Sequence, residues 1–497
     1  MARTRKLRRA FVARITRGTL VAWLCLQPQR GLRAEEPTSN PNAPLPAITG
    51  NLEADQIQQW NFHAQNTDIM QGDPSFRAQY SGPNSLDDRG EVKETVSFDL
   101  YAGVRLWQGA EAHVDGLMWQ GFGLSDTRGV EGFPNGEAFR LGTRMPDAII
   151  ARLFLRQTIN LGGELEKVGD DELSLAGKQD VSRLTLTLGK ISVKDIFDNN
   201  SYANDPRTQF MNWALMANEA WDYPADSLGF ETGFAAELNE PGWTLRSGVF
   251  QMPQVSNGMA QDAHYLKAWG AVAELEHRFM LSEHSGAIRF LVYRNRAHMG
   301  SYAVTLADPD VDMDITQTRA YRYKTGYGVN AEQELAKNVG AFARLGWSDG
   351  QNEAWVFADV DRTATLGLSF KGEAWGRQGD TLGFGGAINA ISSPHREFLA
   401  AGGTGILAGD GALSYGPEQI VETYYDVRVA PHVNAALDYQ FVANPAYNRH
   451  SGRGERRYHQ HHPSEASRTP QETSIDLRNH GGVHHPNRRP AQRNLEG

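Results

Sequence analysis

The chain has 497 residues, with 51 glycines, 10% aromatic residues and a single cysteine, so collagen-like, coiled-coil and disulfide-stapled architectures fail. No run of 18 or more uninterrupted apolar residues occurs, which excludes membrane-spanning helices. The formal charge of −10 is an average: residues 1–34 carry nine Lys/Arg and no acid, residues 449–497 nine Arg and five acids, and residues 35–448 therefore −23. A body that acidic disfavours nucleic acid or polyphosphate as a partner, since both need clustered cations.

The basic stretch Arg3-Thr4-Arg5-Lys6-Leu7-Arg8-Arg9 and the apolar run Thr19–Leu26 read as a secretory signal peptide over 1–34, cleaved after Ala34. A basic amphipathic anchor is the rival reading. Cleavage removes Cys25 and with it any disulfide, thiolate nucleophile or Cys-bound zinc. Residues 35–55, with Pro37, Pro41, Pro44 and Pro46, read as an extended periplasmic lead-in.

From Trp60 onward the pattern changes to period two. Val96, Phe98, Leu100, Ala102, Val104 and Leu106 alternate with polar or small residues, as do Leu184/Leu186/Leu188 with Arg183/Thr185/Thr187 and Leu366/Leu368/Phe370 with their neighbours. The spacing predicts fifteen strands near 60–70, 94–107, 110–121, 148–160, 181–190, 228–239, 242–252, 266–280, 286–297, 324–335, 338–348, 363–371, 381–391, 418–430 and 432–443. Their connections alternate short and long, which a soluble sandwich has no reason to do. An outer-membrane barrel does, with short periplasmic turns and long extracellular loops. One connection, 161–180, falls on the short side and is nevertheless long. Trp107, Trp347 and Tyr439 fall near strand ends, where interfacial girdles are expected.

Several strings then become recognisable: Gln71-Gly72-Asp73-Pro74-Ser75-Phe76, Tyr80-Ser81-Gly82-Pro83-Asn84-Ser85-Leu86, Gly132-Phe133-Pro134-Asn135-Gly136-Glu137-Ala138-Phe139, Asp205 to Leu215, Trp221-Asp222-Tyr223-Pro224-Ala225-Asp226 and Leu437 to Pro445. Together they resemble the carbohydrate-selective porin family (OprB type), over about Gly50 to Asn448. The resemblance implies an all-β, transmembrane antiparallel β-barrel of the sixteen-stranded porin type over 56–448. It also implies an outer-membrane location in a Gram-negative bacterium, passive diffusion of sugars, and early extracellular loops folding inward. The family ends on a closing strand with a terminal aromatic residue read by the barrel-assembly machinery. Here Arg449–Gly497 reads as an atypical tail expected to be disordered, so the last strand reads as missing or replaced.

A sugar is neutral, apolar on its C–H faces and ringed by hydroxyls, so a selective channel needs aromatic faces and planar hydrogen-bonding groups. Candidates in the inward loops are Asn135, Glu137, Asp205, Arg207, Asn212, Trp213 and Trp221, with a helix expected over Thr208–Ala220. On the walls, alternation points Arg105, Asp115, Arg152, Arg156, Arg183 and Glu231 into the lumen, along with Asp99 and Glu237, where opposed charges would set up a transverse field. Each of these could equally brace a loop through a salt bridge.

Other motifs fail. Gly403-Thr404-Gly405-Ile406-Leu407-Ala408 has dinucleotide spacing, but Gly409-Asp410-Gly411 follows where a helix must continue. Asp308, Asp310, Asp312 and Asp314 begin like a calcium loop, yet Met313 and Arg319 stand where Gly and Glu are required. His459, His461 and His462 lie in the tail and carry no functional weight. No catalytic residue, cofactor or metal is expected. The partners expected are mono- or oligosaccharides, outer-membrane lipid and lipopolysaccharide, and the assembly machinery. A general cation-preferring pore is the nearest alternative, and a carboxylate-dependent glycoside hydrolase, outer-membrane or secreted, is the alternative from another class.

Overall fold

The computed structural model describes residues 21–26, 57–79, 81–138 and 142–450; most of the expected signal peptide, the expected lead-in and the tail beyond His450, with His459, His461 and His462, lie outside them. Sixteen strands are present: β1 (Val21–Leu26), β2 (Trp60–Asp73), β3 (Glu91–Trp107), β4 (Ala110–Gly121), β5 (Thr143–Val168), β6 (Gly177–Ile191), β7 (Glu231–Glu240), β8 (Trp243–Phe250), β9 (Trp269–Leu281), β10 (His284–Met299), β11 (Ala320–Ala336), β12 (Val339–Ser348), β13 (Arg362–Lys371), β14 (Thr381–Ala390), β15 (Glu418–Ala430) and β16 (Val433–Ala443). The run β2 to β16 matches the fifteen strands that the period-two pattern predicts. Each pairs antiparallel with its sequence neighbour, in a barrel that closes through β1.

The closure is narrow. β1 pairs Val21–Leu26 with Asp438–Val433 of β16 and Ala22–Leu26 with Met70–Asn66 of β2. Six residues are fewer than the nine to eleven that a strand needs to cross a bilayer. The position that a closing C-terminal strand would take is thus filled by a segment lying within the expected signal peptide, and no strand follows β16 among the described residues.

The walls are inside out relative to a soluble protein. On β10, Phe290 and Val292 are 49% and 57% exposed while Leu291, Tyr293 and Asn295 between and beyond them are buried. On β6, Leu188 is exposed and Thr185 and Thr187 are buried. Period two thus separates an outer apolar face from an inner, mixed one. At the short-turn end, Trp60, Trp107 and Trp243 stand exposed, as an interfacial girdle requires. Trp347 stacks on Tyr327 at the other end, centroids 5.0 Å apart. Tyr439 is a correction: it sits in mid-strand, opposite Thr423, rather than at an end.

Short turns join β3–β4, β7–β8, β9–β10, β11–β12 and β15–β16, and long loops occupy the opposite end. At Lys337-Asn338 the turn needs a left-handed residue, which Asn338 supplies at φ +75°. The long connection expected at 161–180 is mostly strand, since β5 and β6 extend through it and leave only 169–176 as a turn.

The core lies inside the barrel, where the long loops fold in. One cluster joins Phe133, Phe197, Trp213, Trp221, Tyr223, Trp355 and Val360 to wall residues such as Phe154, Phe250 and Leu291. Close approach of loop to wall explains two glycines. A Cβ on Gly328 or Gly346 would fall 2.1 or 2.0 Å from the side chain of Asn218, so that stretch of wall must be bare.

Candidate functional site: the lumen and its inward loops

The loop between β6 and β7 enters the lumen and is held there by carboxylates. Glu422 accepts the backbone N–H of Met211 (2.6 Å) and of Asn212 (3.0 Å). Those amides are therefore drawn outward, and the expected helix over Thr208–Ala220 shrinks to four residues, Trp213–Met216, capped by Asn212. Glu332 accepts from Ser201 N (2.7 Å) and Glu274 from Asp198 N (2.8 Å). In the neighbouring loops, Glu418 accepts from Glu131 N, Gly132 N and Ala446 N, and Asp222 from Trp355 N and Val356 N. A buried amide must find an acceptor where water is excluded, and a carboxylate offers several lone pairs. Many of the acids behind the charge of −23 are therefore loop staples rather than free luminal charge.

The seven loop candidates divide between two places. Arg207 lies 3.0 Å from Asp99 and 3.0 Å from Glu137, and donates to Gln65 (2.9 Å). Asp205 shapes the turn before it, accepting from Arg207 N and Thr208 Oγ1 at 2.9 Å each, and burial pushes its carboxyl up despite Arg207. Asn135 donates to Thr95 and accepts from Glu137 N. These groups converge on the β2–β3 wall. Asn212, in contrast, is fully buried, donating to Gly132 O and Gln440. Trp213 and Trp221 are only 7% and 3% exposed, Trp213 stacked on Phe133 at 4.9 Å, so neither ring offers a free face.

The wall candidates also pair. Arg152 lies 2.7 Å from Asp115 and grips Asp195 through Nε and Nη2 at 2.8 and 2.9 Å. Arg183 lies 2.7 Å from Glu166. Arg105 lies 3.1 Å from Glu111, and Arg156 donates to Leu173 O at 2.7 Å; both sit near the 169–176 turn. Glu231 is buried at the start of β7, apart from the others. The expected opposition of charges across the lumen is replaced by pairs between neighbouring strands or between wall and loop. At about 3 Å, attraction to a neighbour far exceeds that to a partner across a wet channel.

A further row of charge lies on β7–β11. Arg246 reaches Glu237 (3.2 Å), Glu274 (2.9 Å) and Glu276 (3.0 Å), while Arg278 and Arg289 also meet Glu276, and Arg289 meets Glu332. The same alternation that located Arg152 and Arg183 reaches these residues, since Glu274 and Glu276 fall on the face opposite Leu275. Phe357 carried no such signal. It lies in the β12–β13 loop at φ +57°, a conformation that a bulky residue adopts only when its surroundings impose it. Asp222 clamps the amides before it, and Glu131 accepts the Asp359 N–H after it at 2.6 Å. Its ring, half-buried, meets Trp213 at 5.0 Å and Tyr223 at 5.2 Å. Nearby, a cavity of about 380 Å³ opens among the long loops, bordered by Asn257, Asp314, Arg319 and Glu353.

The motifs set aside on sequence grounds have structural roles. Asp308 and Asp314 accept the N–H groups of Asp310 and Thr316 as turn caps, and no group of three or more His, Cys, Asp or Glu is arranged for a metal among the described residues. Gly403–Ala408 is a loop whose Leu407 N–H donates to Asp359.

Comparison with known proteins agrees with this architecture. The family model described as "Carbohydrate-selective porin, OprB family" matches residues 83–462. No curated protein matches the chain. Among solved structures, the high-pH form of Pseudomonas putida OprB superposes with a TM-score of 0.56 at 16% identity, covering 77% of this chain and 93% of that one. Its low-pH form reaches 0.40 at 13% identity, covering 77% and 92%, and Pseudomonas aeruginosa OccK2 (OpdF) 0.35 at 9%, covering 85% and 98%. With the family model spanning most of the chain and the fold that of a porin barrel, the chain belongs to the carbohydrate-selective porin family of OprB type, a sugar channel of the Gram-negative outer membrane rather than an enzyme.

Proposed function

We propose that neutral mono- and oligosaccharides cross this lumen by passive diffusion along a wall of paired arginines and carboxylates, with the half-exposed ring of Phe357 as the face on which a pyranose stacks. The observation that carries this reading is the pairing itself. Arg207 with Asp99 and Glu137, Arg152 with Asp115 and Asp195, and Arg246 with Glu274 and Glu276 present planar donors and acceptors in which each arginine offsets one of its two carboxylates. Such a surface exchanges hydrogen bonds with hydroxyls at little desolvation cost, and its charge is largely compensated. Arg105, Arg156, Arg183 and Glu231 belong to the same lining, whereas Asn135, Asp205, Asn212, Trp213 and Trp221 act by holding the loops that shape it.

Insertion by the barrel-assembly machinery and contact with lipopolysaccharide complete the proposal. Liposomes containing the protein should swell in isosmotic glucose and more slowly in larger oligosaccharides. Absence of swelling in any sugar, with salt conductance intact, would replace this reading by a general cation-preferring pore, which the acidic body favours.

A further inference from the structure

The connection that broke the short-turn rule does not hang below the barrel. β5 is 26 residues long, and its register with β6 breaks at Asn160/Gly162 and again at Gly162/Leu165. Gly162 and Gly163 stand there at φ +96° and +100°, successive left-handed positions that bend the hairpin where other residues would resist. The tip, Gly169–Ala176, then meets side chains from the inner faces of other strands. Asn61 Nδ2 lies 2.8 Å from Asp170 Oδ1, 2.8 Å from Asp171 O and 3.0 Å from Ser174 O, and His63 Nε2 lies 3.0 Å from Asp170. Arg105 donates to Ala176 O and Arg156 to Leu173 O. The outward neighbours of these anchors, Phe62, Val104 and Leu155, are all exposed apolar residues, so the anchors face inward and the tip is inside the barrel. Leu175 is buried there, and Leu173 packs on the central cluster.

We propose that Gly169–Ala176 forms a second constriction, at the periplasmic mouth, and that its consecutive acidic side chains, Asp170 and Asp171 with Glu172 adding charge in alkaline solution, make it an exit filter that passes neutral sugars and retards anionic ones such as uronates and sugar phosphates. Asp170 is matched by His63 and Asn61, while Asp171 and Glu172 follow it with the Arg105 and Arg156 guanidiniums turned to backbone carbonyls of the same tip. A filter of this kind works by narrowing the path until a solute must pass within a few ångströms of fixed charge, where screening is weakest. The choice of sugars as solutes rests on the function proposed above; the constriction itself does not.

Two variants test it in planar bilayers and liposomes. Replacing residues 161–182 by Asn-Gly, which joins the paired residues Asn160 and Arg183 by a two-residue turn, is expected to raise single-channel conductance in potassium chloride about twofold or more. Asp171→Asn with Glu172→Gln keeps the tip in place. It is expected to raise the permeation of glucuronate relative to glucose by several-fold, up to about tenfold, and to leave glucose itself unchanged. Unchanged conductance in the truncated channel overturns the constriction, and an unchanged glucuronate-to-glucose ratio in the double variant overturns the filter. A wild-type channel that conducts salt but passes no sugar would refute the sugar-pore reading, while the conductance comparison would still decide whether the tip narrows the mouth.

Discussion

Arg344 on β12 is the fastening point of the inward β6–β7 loop, and its removal has a calculable consequence. Its guanidinium is fully buried and donates to Leu215 O (2.9 Å), Ala203 O (2.6 Å) and Asp198 O (3.3 Å), and Nε lies 3.2 Å from Asp198 Oδ1. Asp198 is itself at φ +56° and also accepts from Lys194 (3.0 Å), Asn218 N (2.8 Å) and Asn330 (2.8 Å). Burial raises the Asp198 carboxyl, but Arg344 and then Lys194 outweigh it and hold the group well below the usual carboxylate range. Breaking a buried pair from one side costs about 3–5 kcal/mol because the other charge is left behind. Lys194 and the two amide donors remain, so Arg344→Met is assigned the lower end, about 3 kcal/mol. At about 1.4 kcal/mol per decade, that lowers the ratio of docked to released loop by roughly a hundredfold. The barrel hydrogen bonds are untouched, so the heat-modifiable migration of the barrel should persist. Single-channel recordings should show larger, noisier conductance steps. Arg344→Lys restores the charge but not the fork that reaches Leu215 and Ala203, and should be intermediate. A quiet Arg344→Met channel of wild-type conductance would refute the assignment of this arginine as the fastening.

Phe357→Ala should weaken the block of ion current by sugars by about 0.5–1.5 kcal/mol, up to roughly tenfold in apparent affinity, with salt conductance preserved. Gly346→Ala places a methyl group against Asn218 and should displace the loop, read as altered conductance, which Asn218→Gly in the same chain should partly restore. Burial first, and Asp171 beside it, push the Glu172 carboxyl up to about 8. It therefore gains charge as pH rises from 7 to 9. That change makes the periplasmic mouth more negative against the constant charges of Arg105 and Arg156, so cation preference measured by reversal potential should increase with pH. Glu276→Gln leaves Arg246, Arg278 and Arg289 short of a shared partner and should shift the reversal potential toward anions.

Strand positions were legible because lipid outside and water inside impose a two-residue period that no other environment sustains over so many segments. The same logic gave the inward direction of Arg152 and Arg183, yet it could not give their partners, which come from strand register and from loops such as that carrying Asp195. Trp213 and Trp221 stood among the channel candidates because an inward loop carries them. Their burial depends on Phe133, Phe197 and Tyr223 arriving from elsewhere in the chain. Phe357 was invisible for the opposite reason, being one ring in a loop without periodicity whose orientation is fixed by Asp222 and Glu131. The over-long 161–180 connection was legible as an anomaly, but the return of its tip to Asn61 and His63 is a tertiary event. The acidic composition told against anionic partners. Glu418 and Glu422 show that much of it is spent on backbone amides that water cannot reach.

Single-channel recording of the purified protein in a planar bilayer tests the central claim most directly. The account predicts discrete conductance steps that a neutral hexose reduces in a saturable manner. A preparation that inserts no channels, or channels whose current no sugar alters at any concentration, would contradict it.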